Sequence, residues 1–257
     1  MTERPAEDDD EGTVLARLGP FFAVRTHDAG APVHAPWRSM GELADGREVL
    51  SSRVAVVRDV LAAGGGQRPE QVELRVAASV AHLGLTARVV SPYLALAVLH
   101  GRAPSALRLA DLRWQPSLGN PYPLSLPGAG RRSAEAYGEL PPLADALARG
   151  LCEGPVRELV EACAAFRVSP HVLWGNVASA VHGAARMIGA ARPEDAVRAR
   201  GLAELLLDSG ALRGSGARTA AGDFRRRSCC LIYRAAPEHS GALCGDCALS
   251  HVPSRSA

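Results

Sequence analysis

Four cysteines gather near the C-terminal end of the 257-residue chain: Cys229 and Cys230 side by side, then Cys244 and Cys247 as a C-x-x-C unit. Thirteen residues separate Cys230 from Cys244. Four thiolates complete either a zinc tetrahedron or a 2Fe-2S cluster, so ligand number does not choose between them. Cys244-Gly245-Asp246-Cys247 fits the knuckle of structural zinc sites, in which two sulfurs point inward around a tight turn. Cys229-Cys230 does not fit it, because adjacent side chains project in opposite directions and reach a single small ion awkwardly. A two-iron rhomb is wider and suits neighbouring thiolates better. Charge points the same way. Four thiolates, two sulfides and two ferric ions sum to about −2, and nearby cations stabilise the further charge added on reduction. Arg225, Arg226, Arg227 and Arg234 flank the first pair and are candidates for that electrostatic or docking role; three consecutive arginines read equally well as a solvated surface run.

The remaining chemistry-bearing residues read more plainly. Cys152 and Cys163 lie in apolar helical sequence, where a free cysteine behaves as a small buried hydrophobe. His239 and His251 are close enough in sequence to raise histidine ligation of the Rieske kind, but four cysteines already fill a ligand shell, which leaves both as surface histidines. His34, His82, His100, His171 and His182 show no metal-ligand spacing. Gly64-Gly65-Gly66 lacks the Lys-Ser/Thr of a phosphate loop and Gly214-Ser215-Gly216 lacks a preceding strand, so both read as linkers.

Arg-Arg-Ser-Cys229-Cys230-Leu-Ile-Tyr-Arg and Leu-Cys244-Gly-Asp-Cys247 resemble the C-terminal signature of the FhuF-like ferric siderophore reductases, in which an adjacent cysteine pair and a C-x-x-C hold a 2Fe-2S cluster. Residues 77–88 (AASVAHLGLTAR) and 174–180 (WGNVASA) resemble segments of actinobacterial members, so the similarity runs from about residue 70 onward. The gap between pair and C-x-x-C is thirteen residues here against the family's usual ten. A longer loop of Pro, Gly and Ser is tolerated because closure entropy grows slowly with length. The resemblance implies that Cys229, Cys230, Cys244 and Cys247 are the cluster ligands. It also implies a cytoplasmic oxidoreductase that passes one electron, taken from a ferredoxin or flavoprotein, to a ferric siderophore and so releases ferrous iron. No general acid or base is implied. Trp114, Tyr122, Trp174, Asn176 and Arg186 are candidates for docking the substrate. The rival is a non-catalytic protein, with structural zinc or a redox-sensing iron-sulfur centre.

Composition sets the frame for these residues. The chain is 47% hydrophobic, enough for a substantial core, and its formal net charge of +2 gives none of the polycation character that nucleic-acid binding uses. All 29 basic residues are arginine, a bias of the kind that GC-rich coding produces. Residues 1–12 read as a structureless acidic leader, with no basic start followed by an apolar run and hence no export signal. The most apolar stretch, 76–99, is interrupted by His82, Arg88 and Pro92 and is read as two core helices rather than a membrane span, leaving only peripheral membrane contact open.

The elements expected to position the cysteines are mainly helical. Apolar spacing predicts helices over 48–63, 69–84, 92–99, 141–149, 155–166, 170–188 and 193–207, with Ser169 as an N-cap. A short strand is expected at 21–25, and a small antiparallel hairpin or meander over 106–127. The expected fold is thus a helical body over 13–221 with one small sheet, and a C-terminal iron-sulfur module over 222–257 belonging to the same domain.

Overall fold

A chain segment that is apolar on every side forms a helix only if other elements surround it, and this decides the architecture here. The computed structural model describes residues 8–116, 121–128, 134–219 and 223–249. Leu74–His100 is a single 27-residue helix, α4, with eighteen buried residues distributed around it. The two helices expected over this stretch are therefore one. Pro92 removes a backbone donor at a cost of about 3 kcal/mol, which the dense burial of both halves offsets. Pro69 opens only a single 3-10 turn, Pro69–Gln71. Gly101, with φ 63°, closes α4 in the left-handed region where glycine is unstrained.

The other α-helices make up the rest of the body. They are α1 (Asp8–Arg17), the single turn α2 (Glu42–Asp45), α3 (Arg47–Gly64), α5 (Leu140–Leu147), α6 (Arg157–Ala164), α7 (Pro170–Ala191) and α8 (Ala196–Leu207). The main partner of α4 is α7, which also packs on α8, and α3 lies against α4 beside it. Ser169 caps α7 as expected, its Oγ accepting from Val172 N at 3.3 Å. Residues 8–12, assigned by sequence to the leader, begin α1. Residues 1–7 lie outside the described residues. By length and apolar composition α4 is the one helix among the described residues that is able to cross a membrane, and 72% of its apolar window is buried inside the protein.

The small sheet is built differently from the expected meander. Its order is β1-β5-β4-β2, from β1 (Arg25–His27), β2 (Arg38–Ser39), β4 (Arg113–Trp114) and β5 (Leu124–Pro127). Only β4 and β5 come from 106–127. They pair antiparallel with Trp114 opposite Leu124, whereas β1 joins β5 in parallel with Thr26 opposite Leu126. Leu109–Asp111 is a 3-10 turn, which explains why the leucines at 107, 109 and 112 alternate without forming a strand. Two further antiparallel pairs join β3 (Arg102–Pro104) to β6 (Ala134–Ala136) and β7 (Gly216–Arg218) to β8 (Phe224–Arg226).

The strand expected at 21–25 begins only at Arg25, because the backbone before it is held by a side chain. Arg88 of α4 donates to Tyr122 O at 2.9 Å, to Phe21 O at 2.8 Å and to Ala23 O. Burial pushes this guanidinium down to about 10, still cationic at neutral pH. One buried cation thereby ties the N-terminal segment and the approach to β5 onto the central helix.

Between α5 and α6 the chain continues as a π-helical stretch, Ala148–Val156, kinked at Gly154 and pressed against β3 so closely that a Cβ on Gly150 would stand 1.8 Å from Pro104 O. Gly150→Ala is expected to destabilise the fold by roughly 2 kcal/mol and lower Tm by about 4–8 °C. Gly183→Ala, on α7 with open space around the added methyl, is expected to leave Tm unchanged or raise it. Thermal melts of the two variants against the parent check this.

Candidate functional site

The route to the cysteines begins at β8, where side chains alternate between faces with the period of two that a strand imposes. Phe224 is buried against His182 of α7, ring centroids 4.6 Å apart; Arg225 is exposed; Arg226 is buried; Arg227 is exposed; Ser228 is buried. The arginine run is therefore neither wholly a solvated run nor wholly a charged approach. Only Arg225 and Arg227 face outward. Arg234 is ion-paired with Glu73, at the start of α4, at 2.5 Å.

The strand end is seated on α7 through Gly175, where a Cβ would meet Ser228 Oγ at 2.1 Å. Ser228 Oγ donates to His171 O at 3.0 Å. The chain then turns at Leu231, whose φ of 71° is left-handed. Cys230 O accepts from Ser79 Oγ of α4 at 2.9 Å. The C-x-x-C follows as a tight turn, Cys247 N donating to Cys244 O at 3.1 Å. It is fastened to β8 by Arg226 N to Asp246 O at 3.0 Å, and to α7 by Ser179 Oγ, which donates to the Asp246 carboxylate. Cys229-Cys230 and Cys244-x-x-Cys247, distant in sequence, thus meet at one place.

Cys230 Sγ and Cys244 Sγ are 3.5 Å apart. Two thiolates on one tetrahedral metal stand about 3.8 Å apart with bonds near 2.3 Å, so this pair has the separation of two ligands on one ion. Leu231 N–H points at Cys229 Sγ at 3.3 Å, and Leu249 N–H at Cys247 Sγ at 3.4 Å. Such donors stabilise thiolates and are among the features that set cluster potentials. Of the three thiols that face one another here, Cys230 is the one held low. Hydrogen bonds from Cys229 and then Cys244, with the Arg226 charge nearby, hold it far below the usual thiol range, while the hydrogen bond to Cys230 followed by burial pushes Cys229 and Cys244 up. Among the described residues no three His, Cys, Asp or Glu side chains converge as the shell of one metal ion.

Beneath the cysteines lies a buried polar network that sequence reasoning missed. Asn176 of α7 donates to Ser79 O at 2.9 Å and Ser79 Oγ at 3.2 Å, and its Oδ1 accepts from Arg226 Nη2 at 2.7 Å. Arg226 Nε donates to Ser228 O at 3.2 Å. Arg226 Nη1 is buried with no hydrogen-bond partner, and among the described ion pairs no carboxylate faces this side chain, which is 2% exposed. A buried cation without a counter-charge costs several kcal/mol, so the site suits an anionic group beside Cys230. The donor set and the orphaned cation together fit a thiolate-ligated, negatively charged cofactor. Asn176 and Arg226 had other expected roles, docking and surface charge; the signal for a network was polar Ser79, His82 and Thr86 at helical spacing within apolar α4.

The other sequence candidates are placed elsewhere. Trp114 and Tyr122 are fully buried with rings edge to face at 5.3 Å, and both are core rather than docking residues. Trp174 is half-buried under Arg157, and Arg186 is exposed on α7. His239 Nε2 is 3.4 Å from Glu73 Oε1, a salt-bridge position and not a sulfur contact; His251 lies outside the described residues, as does part of the expected module at 222 and 250–257. Cys152 and Cys163 are buried in the core, and burial pushes both thiols up to about 12. No protein-family model matches the chain, and no curated protein matches it.

His82 completes the network. Asn176 Nδ2 approaches its Nδ1 at 3.4 Å and Thr86 Oγ1 its Nε2 at 3.3 Å, which fits a neutral ring protonated on Nε2. Burial, helped by the Arg226 charge, pushes it down to about 3. Between pH 6.5 and about 3 the unfolded chain therefore binds a proton at this histidine that the folded chain refuses, and stability falls as pH drops through that window. The expected contribution is about 1.4 kcal/mol per pH unit in the steep part. Denaturant titrations at pH 6.5 and 4.5 should show a smaller acid loss for His82→Gln than for the parent chain.

Proposed function

We propose that the chain holds a 2Fe-2S cluster on Cys229, Cys230, Cys244 and Cys247 and works as a one-electron ferric-chelate reductase, with a ferric siderophore as substrate and a ferredoxin or flavoprotein as donor. The observation that carries this reading is the meeting of the two cysteine pairs over a buried, unpaired Arg226. When bound, the cluster supplies a one-electron carrier. Each turnover takes one electron from the donor and adds it to the ferric ion of the chelate, giving ferrous iron. Hard siderophore oxygens hold ferrous iron less tightly, so the metal is released without proton chemistry by the protein.

The chain's own residues have three tasks in this reading. The thiols, each half or more buried, bind the cofactor and shield it from water, while the backbone N–H groups of Leu231 and Leu249 orient and stabilise sulfur charge. Arg226, fixed by Asn176 and Ser228, offsets the extra negative charge of the reduced state. Arg225 and Arg227, facing outward one residue either side of it, offer positive charge to an acidic donor surface. The extended loop over 235–242 is anchored by Gly241 N to Tyr233 O at 2.9 Å and by Gln67 to Ala235 O, which supports a gap of this length closing on the same pair of ligand turns.

Purified protein is expected to be brown, to contain iron and acid-labile sulfide in equal amounts, to bleach with dithionite and to regain colour when a ferric hydroxamate is added. Colourless protein carrying zinc and no sulfide would reject the reading in favour of a structural site. Cys244→Ser is expected to lose the visible absorption and Cys163→Ser to keep it. Arg226→Gln is expected to make the centre harder to reduce, moving its midpoint potential negative, while Arg225→Gln leaves it near the parent value; spectroelectrochemical titration separates the two.

A further inference from the structure

Thiols that a cofactor does not engage are open to oxidation, and the way the chain holds its four clustered cysteines favours one pairing. Cys230 Sγ and Cys244 Sγ are 3.5 Å apart. A disulfide needs about 2.05 Å between sulfurs, so the two are already in contact and short of a bond by one small movement. The pairs that are close in sequence are less well placed. Adjacent cysteines have Cα atoms about 3.8 Å apart, below the range of about 4.4–6.8 Å that a disulfide spans, so Cys229–Cys230 closes only with strain. Cys244–Cys247, the pairing that C-x-x-C spacing alone suggests, has its second sulfur occupied: Cys247 is buried and Leu249 N–H points at its Sγ at 3.4 Å. Leu231 N–H holds Cys229 Sγ in the same way at 3.3 Å.

The anchoring of the two turns decides which sulfur moves. Cys230 is fixed, its carbonyl accepting from Ser79 Oγ of α4 at 2.9 Å. The far side of the C-x-x-C is fixed as well, with Asp246 O accepting from Arg226 N at 3.0 Å and the Asp246 carboxylate from Ser179 Oγ. Cys244 lies between that anchor and Gly241, whose N–H donates to Tyr233 O at 2.9 Å. On this segment Ala242 and Gly245 are exposed, and there is open space around Gly245. Cys244 O is held by Cys247 N, so the remaining distance is covered by turning the Cys244 side chain. Exposure sets the order of events: Cys230 is 1% exposed, whereas Cys244 is only partly buried and is the one an outside reagent meets first.

We infer that Cys230 and Cys244 form a reversible disulfide when the cofactor-free chain meets a small-molecule disulfide, with Cys244 as the entry sulfur and Cys230 as the resolving one. In the first step the Cys244 thiolate attacks one sulfur of the oxidant, RS–SR; a Cys244–SR mixed disulfide forms and RS⁻ leaves. In the second the Cys230 thiolate attacks Cys244 Sγ, the Cys230–Cys244 bond forms and a second RS⁻ leaves. The two protein thiols together give up two electrons and two protons, and the oxidant becomes two molecules of RSH. A dithiol reductant reverses both steps. Cys230 needs no access to solvent, because its attack is on a neighbour already in contact. Where these cysteines serve as cluster ligands, which rests on the function proposed above, the disulfide withdraws two of the four and closes the site to loading until it is reduced.

The test takes the full chain, freed of metal by a chelator in the presence of dithiothreitol, and exposes it to oxidised glutathione with and without denaturant. Free thiols are then alkylated and tryptic peptides mapped without reduction. Cleavage after Arg227, Arg234 and Arg255 puts Cys229 and Cys230 on one peptide and Cys244 and Cys247 on another, so a cross-link between peptides separates the proposed pair from both local ones. The folded chain is expected to join Cys230 to Cys244 and to leave Cys229 and Cys247 alkylated. In denaturant the contact is lost, and the short-loop Cys244–Cys247 product is expected instead. Cys230→Ser is expected to stop at the glutathione adduct of Cys244, and Cys247→Ser to cross-link as the parent does. A Cys244–Cys247 or Cys229–Cys230 product from the folded chain, the same products with and without denaturant, a lasting glutathione adduct in the parent, or loss of the cross-link in Cys247→Ser would each overturn the inference. A second arm offers iron and sulfide to the reduced and oxidised chains. Uptake by the reduced chain alone supports the inference, and equal uptake by both overturns it. Uptake by neither rejects the cluster reading alone, because the cross-link is mapped without metal.

Discussion

The burial of α4 on all sides is the constraint from which the rest of the molecule follows. A helix this apolar cannot face water along any stripe, so α3, α6, α7 and α8 must close around it. Enclosure then imposes a second demand, because the polar residues α4 carries are taken into the interior with it. Several of them fasten another part of the chain. Arg88 gathers three backbone carbonyls and holds the N-terminal segment; Ser79 holds Cys230; His82 and Thr86 complete the network with Asn176. Polar groups that would weaken a purely apolar core are what attach the peripheral layers in register.

Two buried arginines show how differently such a charge can be accommodated. Arg88 spends its donors on three carbonyls and needs no carboxylate. Arg226 has only two of its nitrogens engaged, and the third is closed off from water without a partner. The difference in satisfaction is the difference between a structural clamp and a cation placed for something negative. Cys230, whose thiol is held below its ordinary range, stands within its field. The proposed cofactor gives that arrangement a physical rationale that packing alone does not.

The legible part of the candidate site was its four cysteines. Adjacent and C-x-x-C cysteines, with arginines before them, stand out at the level of residue type, as does the expectation that Cys152 and Cys163 are core. The N-cap at Ser169 was equally plain, since a serine before a proline and an apolar run has one good use. Other features were hidden because they depend on contacts across 50 to 150 residues of sequence. The run at 225–227 is uniform in sequence, and only the pleat of β8 turns its middle member inward. Pro92 reads as a break until the burial on both sides of it is known. The β1–β5 pairing joins Thr26 to Leu126 in parallel, and no local pattern announces a partner that distant.

The sequence by itself determined which residues can carry metal chemistry, that the body is mainly helical, and that one segment is apolar enough to form its centre, because these rest on side-chain type and on periods of two and 3.6 that are local properties. Only the tertiary structure decided that the two cysteine pairs meet over Arg226 and that Trp114 and Tyr122 belong to the core. Those outcomes depend on which helix faces each residue after the chain has closed around α4. Burial and partner satisfaction are properties of that enclosure and not of any window of sequence.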